Sequence, residues 1–169
     1  VHTAVIICLA GGILITVFGI LFSHNILALM NTKDELIDGA VLYLRIYLLG
    51  MPALGLYNFG NAVLSAAGDT KRPLYYLAFA GVVNVILNLF FVIVCHLGVA
   101  GVALASMISQ FISAFLILRA LLTGKEKYCL RLSEIRFDKR KAVGILQIGI
   151  PSAFQYSLFA FARSEERRV

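Results

Sequence analysis

Gly50 to Leu74, GMPALGLYNFGNAVLSAAGDTKRPL, is an apolar run that carries a proline and two asparagines and ends in a charged turn. It reads as a membrane helix. A hydrocarbon core offers no water to Asn58 and Asn61, so each carboxamide needs a protein partner, a water-filled cavity or a ligand. The two amides are three residues apart and share a helix face. Pro52 removes a backbone donor upstream and can kink the helix, opening room for polar side chains. As packing elements the amides would bind neighbouring helices; as functional ones they would line a cavity. The pair beside a proline favours the cavity and, with it, a transporter.

The rest of the chain has membrane composition. Of 169 residues 60% are hydrophobic, with a mean hydropathy of +0.90, against roughly 45–50% apolar residues in soluble domains. Only 14% are charged, with a net charge of +6, and the charges sit between apolar runs rather than alternating along helix faces. A nucleic-acid surface would need them gathered on one solvated face, so no nucleic-acid partner is expected. Cys8, Cys95 and Cys129 lack metal-ligand spacing and read as small apolar fillers.

Five apolar runs approach the length of about 20 residues needed to cross a bilayer: approximately 4–22, 41–67, 74–95, 99–122 and 143–162. His96, Leu97 and Gly98 alone separate the third and fourth, which forces an antiparallel hairpin. From Arg119 to Lys141 there are eight basic and three acidic residues, so this loop, with 124–142 at its centre, is expected on the cytoplasmic side. The Asp69–Arg72 turn then lies inside as well, with Lys33–Glu35, Asp38 and the Cys95–Gly98 link outside. The chain opens without an initiator Met or a basic signal-peptide region, and a fragment is expected. RSEERRV (163–169) puts five charges where the fifth helix has barely reached spanning length; it matches one reading frame of a common sequencing adapter and is expected to be non-native.

Polar residues recur inside the later runs. Asn84 and Asn88 lie four apart in the third, with Gly81 on the same face for a close backbone approach; Ser106, Gln110 and Ser113 align in the fourth, where Gly98, Gly101 and Ala105 offer a small-residue surface. These groups are expected to converge in the bundle interior. Gln155, a short turn into the fifth helix, is either another cavity group or interhelical glue. Neutral oxygens and amides suit a hard monovalent cation or a drug-like solute better than catalysis. No Ser/His/Asp set is visible, His2, His24 and His96 fall at helix ends or loops, and Arg45 is placed near the outer end, where it can snorkel. No enzyme activity and no cofactor are expected. A proton-coupled mechanism needs a titratable group in the membrane, and these runs have none in a central position.

Three passages carry a family resemblance: G-x-P with Asn58, Asn61 and AAGDTKRPL; VVNVILNLFFVIV followed by GVAGVALASMISQ; and the basic linker into ILQIGIPSAFQ. In order and spacing, over most of Gly50 to Gln155, the chain resembles the MATE family of multidrug and toxic-compound extrusion transporters. The resemblance implies an all-α polytopic membrane protein, twelve helices in two lobes that rock between inward- and outward-open states. The present runs then correspond to the third to sixth helices of the N-lobe (residues 1–123) and the start of the seventh, with 124–142 as the interlobe loop. In family members asparagines of the fourth helix line the N-lobe cavity, matched here by Asn58 and Asn61. An ion site uses an Asn and an acidic residue on the fifth helix, a hydroxyl on the sixth and an Asp on the first; Asn84 and Ser106 match, while Asn88 stands where many members carry Asp.

The resulting expectation is an antiporter, multi-pass in the cell membrane and monomeric when full length, that exports cationic or amphipathic organic compounds in exchange for Na⁺ or H⁺. Its cavity would be lined by Tyr57, Asn58, Asn61, Gln110 and Gln155, and its ion site by Asn84, Asn88 and Ser106. The alternative is a flippase for lipid-linked precursors in the same superfamily. Its cavity would call for basic residues at a pyrophosphate, and none is expected mid-helix.

Overall fold

The computed structural model describes residues 2–30, 33–123 and 138–166, and the regular elements among them are helices. In chain order they are α1 (His2–Leu29), α2 (Asp34–Leu48), α3 (Met51–Ala66), α4 (Lys71–Leu89, widening into a π-helical stretch over Phe90–Val94), α5 (Gly98–Thr123) and α6 (Lys139–Glu166). By length and composition α1, α4 with its extension, α5 and α6 each suffice to cross a membrane, and α2 with α3, bent by 46° at their junction, is apolar enough to do so when the two are taken together. The bundle is an all-helical polytopic membrane architecture. Its outer faces carry exposed Phe18, Leu21, Phe79, Val82, Ile148 and Phe154, surfaces suited to hydrocarbon or to further helices rather than to water.

Helix ends differ from the sequence expectation. Asp34, Glu35 and Asp38, expected in a loop, are wound into the first turns of α2, where the partial positive charge of a helix N-terminus favours carboxylates. α1 runs on to Leu29 and takes His24 with it. Lys139, Arg140 and Lys141 belong to the first turn of α6 instead of the loop. Asp138 makes that arrangement tolerable: its Oδ1 accepts the backbone N–H groups of Arg140 (3.0 Å) and Lys141 (3.4 Å), and its Oδ2 lies 3.8 Å from Lys141 Nζ. The Asp138 N–H donates to Thr3 Oγ1 (3.4 Å), tying the start of α6 to the start of α1. α6 continues through Arg163 to Glu166, so part of the RSEERRV segment is helical. The expected loop centre, residues 124–137, including Cys129, lies outside the described residues.

The largest departure is the second span, expected as one helix over 41–67. It breaks at Leu49–Gly50. Leu49 and Gly50 donate to Ile46 and Tyr47, three residues back (3.2 and 3.0 Å), which tightens the last turn of α2. Pro52 has no N–H to offer the carbonyl four residues back, that of Leu48. Thr16 of α1 supplies the missing donor: its Oγ1 reaches Leu48 O at 2.7 Å and also lies 2.9 Å from Gly12 O.

The turn after α3 reads directly from AAGDTKRP. Gly68 at φ +87° allows Asp69 N–H to bond Leu64 O (2.9 Å) and Gly68 N–H to bond Ser65 O (3.0 Å), the paired bonds of a Schellman C-cap. Asp69 then accepts the Arg72 backbone N–H (3.2 Å) and pairs with its guanidinium (2.9 Å). At the other end of α4 the link is Cys95–Leu97, with His96 at φ 52° and Cys95 exposed rather than packed as a filler. The hairpin to α5 is antiparallel, as its length required. Gly101 is where α5 meets it closely, since a Cβ there would lie 2.9 Å from Phe91 Cβ.

The apolar core lies between α1, α3 and α5, at the end of the bundle where α1 begins and α5 finishes. It is built from Val5, Tyr57, Phe59, Leu64, Ile117 and Leu121. Lipid is as apolar as these side chains, so shape fit and internal hydrogen bonds, more than water exclusion, hold such helices together. One such bond runs from Tyr57 OH to Pro73 O (2.9 Å) across the α3–α4 turn. Tyr57→Phe keeps the packing and orphans nothing but the carbonyl's second lone pair. It is expected to cost about 1 kcal/mol, read as a fall of a few degrees in the detergent-solubilised melting temperature.

Candidate functional site

Spacing brings Asn84 and Asn88 onto one face of α4, and α5, the helix that follows, returns along that face. Ser106 and Ser109, three apart on α5, meet them. Asn84 Nδ2 donates to Ser109 Oγ (3.2 Å) and, at the limit of hydrogen-bond distance, to Ser106 Oγ (3.5 Å). Asn88 Nδ2 donates to Asn84 Oδ1 (3.1 Å), and Ser109 Oγ turns back to its own helix at Ser106 O (2.8 Å). The result is a half-buried knot of two amides and two hydroxyls. One acceptor is left over: Asn88 Oδ1 is buried and has no donor among the described residues, an arrangement that costs free energy unless something fills it.

The other expected site residues go elsewhere. Asn58 is exposed on α3, and half-buried Asn61 accepts Ser65 Oγ of its own helix at 3.3 Å. Gln110 does not join Ser106. Its carboxamide packs against Gly50 at the α2–α3 break, and its Oε1 is buried without a donor among the described residues. Ser113 is buried and bonds back to Gln110 O (2.9 Å). Four residues advance a helix by more than a full turn, so Ser106 and Gln110 diverge by about 40°, and α5 has α2, α3 and α4 around it to receive them. Tyr57, expected on a cavity wall, is 5% exposed inside the apolar core. Gln155 is exposed on α6, which packs on α1. Gly81 faces open space rather than a neighbouring backbone, while Gly101 and Ala105 do form a close-packed surface.

Ser109 is the residue the sequence reading missed. Its signal was the three-residue step from Ser106, which sets a hydroxyl about 60° around the helix on the side away from Gln110. Arg45 is also placed differently from the expectation. It is the twelfth of fifteen residues in α2, close to the break and not to the outer end, and its Nε donates to Ser23 Oγ of α1 at 3.0 Å. Ser23 itself is wholly buried and bonds Ile20 O (3.0 Å).

The knot's chemistry is that of neutral hard oxygens and amide donors. Among the described residues no group of three His, Cys, Asp or Glu side chains is placed to hold a metal ion. Hydroxyls and carboxamides can take over part of the hydration shell of a monovalent cation, or hydrogen-bond a polar solute.

Known proteins share this sequence and this architecture. The MatE family model matches residues 1–90. The chain is 36% identical over 138 residues to the Bacillus subtilis protein named "Probable multidrug resistance protein YpnP", covering 81% of this chain and 30% of that one. It is 36% identical over 110 residues to "Protein DETOXIFICATION 43" of Arabidopsis thaliana, covering 64% of this chain and 21% of that one. A solved MATE structure described as being in the bent conformation superposes with a TM-score of 0.80 at 26% identity, over 88% of this chain and 33% of that one. An inward-facing multidrug resistance MATE transporter gives 0.78, also at 26% identity, over 88% and 34%. The chain thus spans between about a fifth and a third of the length of the curated relatives it matches. A family match over more than half of the chain, together with these likenesses, shows that the chain belongs to the MatE family, whose members are multi-pass membrane transporters and not enzymes.

Proposed function

We propose that the complete protein carrying this chain is a secondary active antiporter that exports cationic or amphipathic organic solutes in exchange for Na⁺ or H⁺, acting as a monomer in the cell membrane. In this reading α1 to α5 are N-lobe spans, the basic segment before α6 faces the cytoplasm, and α6 opens the second lobe. The observation that carries the reading is the Asn84–Asn88–Ser106–Ser109 knot with Asn88 Oδ1, a buried acceptor set between two spanning helices with no donor among the described residues. Asn84, Asn88 and Ser106 would contribute the ion ligands, and helices outside this chain the missing charge. Asn58, Asn61 and Gln155, whose polar groups are not consumed by the core, would face solute. Relatives named for multidrug resistance and detoxification support export of foreign compounds.

The test is accumulation of a cationic dye in a pump-deficient host expressing the complete reading frame. Expected is a fall in accumulation of about threefold or more that collapses with the ion gradient, and its loss on Asn84→Leu with membrane expression maintained. Unchanged accumulation with the wild-type protein in the membrane would overturn drug export.

A further inference from the structure

The α2–α3 break is held from two sides. Thr16 and Gln110, the fifteenth of 28 residues in α1 and the thirteenth of 26 in α5, lie at the middle of their helices, so the break sits at mid-depth in the bundle. From α1, the Thr16 hydroxyl occupies the Leu48 carbonyl that Pro52 leaves free. From α5, the Gln110 side chain fills the space where Gly50 has no Cβ: a Cβ there would overlap the carboxamide oxygen and lie 2.9 Å from Cδ. Two unmet needs face each other at this point. The N-terminus of α3 has no side-chain cap, and the first N–H groups of a helix have no partner within it; Gln110 Oε1 is a buried acceptor with no donor.

We propose that Leu49–Gly50 is the hinge of this span and that Gln110 is its positioning residue. In the bent state Gln110 wedges against Gly50; in a second state α3 swings until its N-terminus is capped by the same carboxamide. Thr16 anchors α2 in both. The consequence is a mechanical link. Gln110 stands one helical turn from Ser106 on α5, while α3 carries Asn58 and Asn61, so a rearrangement of the α4–α5 knot is transmitted to the angle of the solute-facing helix through one side chain. This inference rests on the transporter reading above for its purpose, though not for its geometry.

Spin labels at Asp38→Cys and Ala66→Cys, both exposed positions at the far ends of the span, report the bend by pulsed dipolar spectroscopy in the complete protein with native cysteines replaced. Two distance populations are expected. Gln110→Met retains bulk but removes the acceptor, and should deplete the capped population by about threefold or more. Gly50→Ala should displace Gln110 and shift the distribution, yet have little effect in a Gln110→Ala background, giving a non-additive cycle. A single distance population, one indifferent to Gln110→Met, or strictly additive effects would overturn the hinge. The distances are read without transport: a protein that moves no dye yet shows Gln110-dependent populations would refute export and leave the hinge standing.

Discussion

Replacing Gly12 by valine is expected to be the most damaging single change in the described bundle. A Cβ at this position would lie 2.7 Å from Pro52 Cα and 3.1 Å from its nitrogen, and backbone cannot rotate away as a side chain can. α1 must therefore retreat from the break. The Thr16 hydroxyl one turn along then loses Leu48 O, whose helical donor Pro52 has already removed. Overpacking of about 1–3 kcal/mol and an orphaned carbonyl of similar size act together, for a loss of roughly 2–6 kcal/mol. Membrane yield and thermal unfolding in detergent read it. Because the clash begins at Cβ, Gly12→Ala should already show most of the loss; a response proportional to side-chain volume would mean that α1 and α3 do not touch there. Thr16→Val, which orphans the Leu48 carbonyl without the clash, should cost less, about 1–3 kcal/mol.

The second large effect is a gain. Asn88→Asp in the complete protein is expected to lower the half-saturating Na⁺ concentration of efflux by about tenfold or more, through a full charge beside a cation in a medium of reduced dielectric, partly offset by the desolvation of both. The position is prepared for it. Asn88 Oδ1 already lacks a donor, so an anionic oxygen there displaces no existing bond at that atom, while the lost Nδ2 donor to Asn84 Oδ1 would be replaced only by the ion. The sign with pH follows from the chemistry. Acidification protonates the introduced carboxylate, so the gained sodium dependence should weaken as pH falls and recover as it rises. Measuring efflux against Na⁺ at several pH values checks this; a response identical to wild type would remove Asn88 from the ion path.

Much of this architecture was legible without coordinates. Hydropathy marked apolar runs that fall on α1, α2 with α3, α4, α5 and α6, because a bilayer imposes a minimum apolar length, and a three-residue link permitted only an antiparallel hairpin of α4 and α5. Four-residue spacing put Asn84 and Asn88 on one face, and AAGDTKRP specified its own turn through a glycine that accepts positive φ and an aspartate that accepts backbone N–H groups. These are local properties, fixed by residues close in the chain.

Where side chains ended up depended on which helix stood opposite, and no spacing rule encodes that. Gln110 shares a stripe with Ser106 yet packs on Gly50, Tyr57 spends its hydroxyl on Pro73 within the core, and Arg45 turns sideways to Ser23. The sequence could say that Pro52 would disturb a helix. Only the tertiary structure could place the bend, because the freed Leu48 carbonyl had to find Thr16, and α1 could approach closely enough only at a glycine. The sequence alone determined a membrane bundle with polar groups on known faces; packing between helices distant in the chain decided which of them meet in the knot and which hold the hinge, since that choice rests on contacts of a few ångströms.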